Sequence, residues 1–282
     1  MIGLRFGVAT LGFSLLTAAP VLAQEVPDFS HAEIAAAETN LNLSIGGMHE
    51  QFDEYWRPHT KENGTIPGFG VGASILMPSV FPGIDLYGAL NYQFHAGNMN
   101  FKGYVTNADT GITNWYSQND RAVFNNIDMR GGLGFPIING RAEVIPYATV
   151  GYMSWNRNDD IPNSFGVDEL FTSWLIGLGT KLDVPLTPGL VASVSAQYSG
   201  LVGSSVTLDD FDLTKGMGTT GDERISLGLD QAVSGPLHVF ANANWEHFDY
   251  TGFKPTGASG QDMEPFSTTT QFGLNLGVAY SF

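Results

Sequence analysis

The residues with the clearest chemical potential are three acids in one polar stretch and a histidine–aspartate pair. Asp209, Asp210 and Asp212 supply carboxylate oxygens, the ligand type that hard divalent cations prefer. They predict weak cation binding in a loop, with solvated loop charge as the simpler interpretation. His247 and Asp249 stand two residues apart in "WEHFDY", a spacing that puts both side chains on one face of a strand.

Other catalytic patterns are weaker. Nucleophilic catalysis needs a serine or similar group beside a base that a third group orients. Five of the six histidines are scattered through the chain without a serine that stands out beside them: His49, His59, His95, His238 and His247. The chain contains no cysteine, which excludes disulfides and thiolate metal sites. The sequence therefore predicts no catalytic residue and no cofactor.

A second set of charged residues lies within segments of alternating polarity. Its members are Asp128, Arg130, Lys181, Asp183, Arg224, Asp230 and Glu246. Both signs of charge are present, and an unpaired buried charge is costly. We therefore expect a mutually paired network, with a polar path for ions as the alternative.

The elements that carry these charges are identified most clearly at the end of the chain, "QFGLNLGVAYSF". Every second residue there is large and apolar: Phe272, Leu274, Leu276, Val278, Tyr280 and Phe282. The residues between them are small or polar. A strand of this kind is typical of a membrane barrel, which has lipid outside and a filled or wet lumen inside.

Ten segments show this alternation, each near the length that spans a bilayer when tilted. They are Leu41–Phe52, Gly68–Met77, Ile84–Lys102, Ala122–Pro136, Glu143–Trp155, Thr172–Val184, Leu190–Val206, Arg224–Ala232, Leu237–Tyr250 and Ser267–Phe282. Tight connections rich in Pro, Gly and Asn alternate with long polar stretches, 53–67, 103–120, 156–170, 207–223 and 251–266. Outer-membrane barrels have short periplasmic turns and long external loops. The pattern predicts an all-β fold, a closed antiparallel transmembrane barrel of about ten strands over 41–282, with 8 or 12 strands as alternatives.

The alternation also assigns faces. On Leu237–Tyr250, the odd-numbered apolar residues are predicted to face lipid, and His238, Asn242, Asn244 and Glu246 the lumen. The same argument places all seven charged residues of the second set in the lumen. Several aromatic residues near strand ends are predicted to lie in interfacial girdles. The candidates are Trp56, Trp155, Trp174, Trp245, Tyr92, Tyr152 and Tyr250, and Trp115 is placed in a loop.

The start of the chain predicts export. Residues 1–23 combine Arg5, an apolar run and the ending Val21-Leu22-Ala23, which is the pattern of a secretory signal peptide. A transmembrane helix is the alternative, disfavoured by a short run that Gly12 and Pro20 interrupt. Residues 24–40 are predicted to be a periplasmic lead-in with one or two helical turns around Ile34.

Composition limits the partners. The formal net charge of −16 argues against nucleic acid, whose phosphates need a basic surface. The expected partners are outer-membrane lipid and lipopolysaccharide, with divalent cations as a bridge between acidic loops and lipid phosphates. Loop aromatics would also suit a surface partner: Trp115, Tyr116, Phe165 and Phe211.

The whole pattern resembles bacterial outer-membrane barrels, and the final Phe282 resembles the signal that the barrel-assembly machinery reads. The stretches "YSGLVGSSVTLDDFD" and "ANANWEHF" are similar to the ten-stranded omptin surface proteases. That resemblance implies an acidic-x-His pair where this chain has Leu208-Asp209-Asp210, and a second acidic pair in a loop that has only Asp109 and Asp120. The catalytic residues of the family therefore do not carry over.

These observations predict a non-enzymatic outer-membrane barrel with a structural or surface-interaction role or a narrow porin-like pore. The alternatives are an omptin-like surface hydrolase with altered catalytic residues and a soluble periplasmic β-protein.

Overall fold

A computed structural model describes residues 31–55, 60–106, 113–158, 168–209, 212–253 and 265–282. One short helix, α1 (His31–Glu38), precedes eleven strands. The strands are β1 (Asn40–Glu54), β2 (Thr60–Phe81), β3 (Ile84–Thr106), β4 (Thr113–Ile137), β5 (Ala142–Asn158), β6 (Asp168–Thr187), β7 (Leu190–Leu208), β8 (Leu213–Gly216), β9 (Thr220–Ser234), β10 (Leu237–Tyr250) and β11 (Ser267–Ser281). In these ranges, no helix has the length and apolar character needed to cross a bilayer.

Ten of the strands close into a ring. The order is β6-β5-β4-β3-β2-β1-β11-β10-β9-β7, and β7 pairs in turn with β6. The first and last strands of the ring, β1 and β11, pair without interruption from Asn40↔Ser281 to Glu54↔Ser267. Strand β8 pairs with β7 alone and forms a small hairpin beside the ring. The predicted all-β, closed antiparallel barrel of ten strands is confirmed.

The two ends of the barrel differ in their connections. Four tight turns, at 82–83, 138–141, 188–189 and 235–236, join strands at one end, which we call the turn end. Gly83 and Gly189 have φ of +71° and +74° there, a conformation that glycine adopts without the steric cost of a Cβ. The helix α1 and the last residue of the chain are at the same end, where the Phe282 N–H donates to the Thr39 carbonyl. We call the opposite end the loop end.

Strands extend much further toward the loop end than the sequence pattern predicts. β2 begins at Thr60 rather than at Gly68, and β3 pairs with β4 up to Thr106↔Thr113. The stretches 53–67 and 103–120, predicted as long loops, are therefore largely strand.

The reason is that the polarity of the strands inverts partway along the barrel. In the turn-end half of β1, Ile45 points outward and is 70% exposed, while Asn42 points inward. In the loop-end half of the same strand, Met48 and Phe52 are buried inside and Gln51 is exposed outside. The turn-end half thus has the polarity of a membrane barrel, and the loop-end half has that of a water-soluble one.

An apolar band surrounds the turn-end half. Its exposed side chains include Leu43, Ile45, Val71, Leu90, Met129, Ile176, Leu178, Leu227, Leu229, Leu274 and Leu276. Soluble proteins rarely expose so continuous an apolar surface, whereas barrel exteriors in bilayers require it. The chain is a transmembrane β-barrel, and its loop-end half, with a polar outward face, lies outside this apolar band.

The aromatic girdle is only partly as predicted. Trp174 is outward, 53% exposed, and its ring packs edge-on against Tyr152, with centroids 5.3 Å apart. Of the candidates, Trp155 and Tyr250 are not girdle residues, because both lie on the inward register of their strands and are buried. Trp115 lies on β4 rather than in a loop and is exposed. Trp56 falls outside the described residues.

Candidate functional site

The lumen is filled in three layers, and the layer at the loop end is apolar. Its buried side chains include Met48, Phe52, Ile66, Met99, Phe124, Met153, Trp155, Phe171, Leu201, Val206, Leu208, Phe248 and Tyr250. We call this set the loop-end lid. Its rings contact one another directly: the Trp155 and Phe171 centroids are 5.3 Å apart, and those of Phe171 and Tyr250 are 5.0 Å apart.

Arg157 joins the lid to a group of buried acids. From the loop end of β5, its Nε donates to Glu62 Oε2 at 2.8 Å. Its Nη1 donates to Glu169 Oε2 at 2.6 Å and to Glu54 Oε1 at 3.2 Å. The guanidinium therefore connects strands β1, β2, β5 and β6 across the lumen. A shared cation satisfies carboxylates that would otherwise be buried without compensation.

The Arg157 group is not apparent from the sequence pattern. Arg157, Glu54, Glu62 and Glu169 all fall in stretches predicted as polar loops, where charge is read as solvated. The available signal was the alternation of Trp155 and Arg157, which continues the inward register of β5 beyond the predicted strand end.

The middle layer holds most of the predicted charges. Arg130 Nε lies 2.8 Å from Asp128 Oδ1, and both residues are on β4. Arg224 bridges two acids, with Nε 2.9 Å from Asp222 Oδ1 and Nη2 2.8 Å from Glu246 Oε1.

The remaining predicted charges lie nearer the turn end. Lys181 pairs with Glu38 of α1, and its Nζ lies 3.3 Å from Asp183 Oδ1. Asp230 pairs with His238 Nδ1. All seven predicted lumen charges thus point inward and have a partner able to carry the opposite charge. Asp222 and Glu38 are not among the predicted lumen charges, although Asp222 shares the inward register of Arg224.

A polar cavity of about 210 Å³ lies among these charges. Amide and hydroxyl side chains line much of its wall, including Asn42, Ser44, Asn91, Ser195, Asn242 and Asn275. Such groups can hold ordered water.

The third layer is a plug that α1 forms at the turn end. Ile34 is fully buried and packs in a cluster with Leu76, Tyr87, Ala89, Ile145 and Tyr147. The Gly189 N–H donates to Glu33 Oε1 at 3.1 Å, so the helix also holds a turn of the barrel. The predicted helical turns around Ile34 exist, and they lie inside the mouth of the barrel. The boundary predicted after residue 40 lies close to the first residue of β1, Asn40.

The predicted acidic loop site is described only in part. Asp209 and Asp212 form a tight turn in which the Asp212 N–H donates to the Asp209 carbonyl at 3.1 Å, and both residues are exposed. Asp210 lies outside the described residues, as do Phe165 and Phe211.

The predicted histidine–aspartate pair lies on the outside of the barrel. His247 Nε2 is 3.7 Å from Asp249 Oδ1, and about a third of each side chain is exposed. The other imidazole nitrogen, Nδ1, lies 2.9 Å from Thr270 Oγ1. The Trp245 ring stacks parallel to the imidazole, with centroids 6.1 Å apart. The pair faces away from the lumen.

No protein-family model matches the chain, and no curated protein matches its sequence significantly. Solved structures similar to it include the transport unit of the autotransporter AIDA-I from Escherichia coli, at 11% identity and a TM-score of 0.43, over 95% of this chain and 94% of that one. The β domain of the Bordetella autotransporter BrkA matches at 13% identity and a TM-score of 0.42, over 86% and 100% of the two chains. Ail, the attachment invasion locus protein of Yersinia pestis, matches at 13% identity and a TM-score of 0.37, over 87% of this chain and 99% of that one. At these TM-scores the similarities carry no inference about function.

Proposed function

We propose that the protein is a non-enzymatic outer-membrane barrel that raises a rigid, filled platform above the bilayer for structural or surface contacts. The observation that carries this proposal is the filled lumen. The loop-end lid and the α1 plug occupy opposite ends, and paired charges around a polar cavity of about 210 Å³ occupy the space between them. A ten-stranded ring is narrow compared with the 16–18 strands of a porin, so side chains suffice to fill it.

The outer-membrane location rests on the barrel itself and on the predicted signal peptide. Only helices and closed barrels span bilayers, because each backbone polar group must be paired internally. Short turns at one end are typical of the periplasmic side. In this orientation α1 would face the periplasm, and the loop-end half would stand at the cell surface beside lipopolysaccharide.

The β3–β4 hairpin is the part of this platform best suited to a partner. Its strands stay paired to Thr106↔Thr113, well beyond the outward apolar residues Leu90 and Met129. Trp115 lies near the tip of the hairpin and is 55% exposed. Exposed aromatic side chains on a rigid support are favourable anchors in protein interfaces.

The omptin-like hydrolase alternative has little support in the described residues. The His247–Asp249 pair faces outward, and Asp209 forms an exposed turn, so these groups do not converge on one pocket. A positioned base must lie within hydrogen-bond reach of the reacting group.

Conductance in planar bilayers tests the proposal. Refolded protein, with folding verified by heat-modifiable migration on a detergent gel, should give no steady channel openings. A variant with Trp155→Gly and Phe171→Gly removes two rings of the loop-end lid. It should still give no steady openings, because the α1 plug continues to close the turn end. Discrete, steady openings from the unmodified protein would contradict a filled barrel and support the narrow-pore alternative.

A further inference from the structure

We propose that His31, Asp85 and Glu143 form a binding site for a divalent transition-metal ion, with Zn²⁺ as the representative case, and that the ion fastens α1 to the barrel wall. These residues come from three separate elements, α1, β3 and β5. They lie at the turn end, apart from the charge pairs in the middle of the lumen.

The ligand atoms already converge. His31 Nε2 lies 2.6 Å from Asp85 Oδ2 and 3.0 Å from Glu143 Oε2. One ligand atom from each residue lies within 4.8 Å of the other two. Zinc bonds to histidine nitrogen and carboxylate oxygen are about 2.0–2.2 Å long, so tetrahedral ligand atoms stand roughly 3.3 Å apart. The side chains need to separate only slightly to admit the ion.

The barrel wall provides space for this arrangement at Gly134 of β4. Gly134 is the register partner of Asp85. A Cβ at position 134 would lie 1.9 Å from Glu143 Oε1 and 3.0 Å from Asp85 Cβ. The absence of a side chain there allows the Glu143 carboxylate to lean across β4 toward Asp85.

Both carboxylates are hidden from solvent, and that of Asp85 is held by a backbone hydrogen bond. Asp85 and Glu143 side chains are 1% and 0% exposed. Asp85 Oδ1 accepts a hydrogen bond from the Ser79 N–H at 2.7 Å, the kind of support that fixes a metal ligand. Glu143 Oε2, the oxygen that lies 3.0 Å from His31 Nε2, is buried with no hydrogen-bond partner among the described residues, so it can accept a cation.

The charges favour a divalent cation. Two buried carboxylates face one imidazole, while the nearby cation Lys181 is already paired with Glu38 and Asp183. A divalent ion would neutralise the carboxylates of Asp85 and Glu143 and leave the imidazole neutral, the form in which histidine binds metals. His31 remains 24% exposed, which leaves the site open toward the turn end.

Binding of the ion would hold the plug in place. His31 begins α1, and Ile34, one helical turn later, is buried in the mouth of the lumen. A metal bond between the first residue of the helix and two wall strands would oppose withdrawal of the whole helix.

The test is Zn²⁺ binding to the full chain, refolded in detergent and freed of metal with a chelator. Calorimetry should show one Zn²⁺ per chain, and hydrogen exchange should show slower exchange of the amides of 31–38 when Zn²⁺ is present. His31→Ala removes a ligand without altering the wall, and both effects should be lost. Glu143→Gln should weaken binding about tenfold or more.

Two glycine variants test the geometry of the site without removing a ligand. Gly134→Ala retains all three ligands but displaces Glu143, so Zn²⁺ affinity should fall. Gly131→Ala on the same strand has no atom within 4 Å of its added Cβ and should bind like the unmodified chain. Wild-type affinity in His31→Ala, or no Zn²⁺ effect on α1 exchange, would overturn the proposal, whereas conductance results would bear on the filled lumen alone.

Discussion

The guanidinium carbon of Arg157 lies 4.0 Å from the centre of the Phe52 ring, although three strands separate β5 from β1 around the wall. The same side chain binds three carboxylates and is 1% exposed. One residue therefore couples the apolar lid to its acidic surroundings. Its loss should affect the barrel more than the loss of any exposed cation.

Arg157→Met should destabilise the folded barrel by about 3–5 kcal/mol, because Glu54, Glu62 and Glu169 would lose their shared cation while staying largely buried. Urea-induced unfolding in lipid vesicles measures the free energy. Arg121→Met is the matched control, since Arg121 is exposed on the outside of β4. Equal stabilities of the two variants would show that the buried group contributes nothing.

Trp155→Ala should cost about 3–5 kcal/mol, because it opens a cavity in the loop-end lid between Phe52 and Phe171. Trp174→Ala should cost less, since that ring is 53% exposed on the outer surface. The same unfolding measurement compares them. A larger loss for Trp174→Ala would contradict the inward placement of Trp155.

Gly277→Ala should destabilise the β1–β11 closure of the ring. An added Cβ there would meet Leu43 O at 2.4 Å and the Phe240 ring at 2.3 Å. Gly273→Ala, also inward on β11, has its nearest contact at 3.7 Å and should be tolerated. The folded fraction on a heat-modifiability gel reports the difference. Similar folding of both variants would argue against this close approach of strands.

Leu178→Arg should reduce the stability of the barrel in lipid by roughly 2–4 kcal/mol, as expected for a cation on the lipid face near the bilayer midplane. Leu178 is 71% exposed in the apolar band. Asn63→Arg, on the outward face of the loop-end half, should have little effect. Indistinguishable unfolding curves would mean that Leu178 does not face lipid.

The sequence was sufficient to predict the part of the fold that lies in the bilayer. Along β10 and β11, large apolar side chains alternate with small or polar ones, as contact with lipid on one face requires. The sequence therefore predicts both the strands and which of their residues face lipid. The inward placement of charged residues such as Asp128 and Lys181 follows from the same period. Ring closure at ten strands follows from counting these segments.

The rule that large apolar residues point outward does not hold beyond the apolar band. There the outward face is polar and the inward face is apolar. The membrane pattern therefore ends two strands at Phe52 and Trp155 and does not show that both side chains lie inside the lumen. Their partners across the lumen come from distant strands, and only the closed ring brings them together. The α1 plug was also beyond prediction, because the period of a short helix does not show which cavity it fills.

The most direct test of the account is the accessibility of cysteines introduced on the outward face of β1. The chain has no cysteine of its own, so Ile45→Cys and Gln51→Cys each provide one thiol. With the barrel inserted in lipid vesicles, a membrane-impermeant maleimide should label Gln51→Cys rapidly and leave Ile45→Cys unlabelled until the protein is unfolded in urea. Equal labelling of the two sites would contradict a barrel that crosses the membrane with its turn-end half and extends its loop-end half into water.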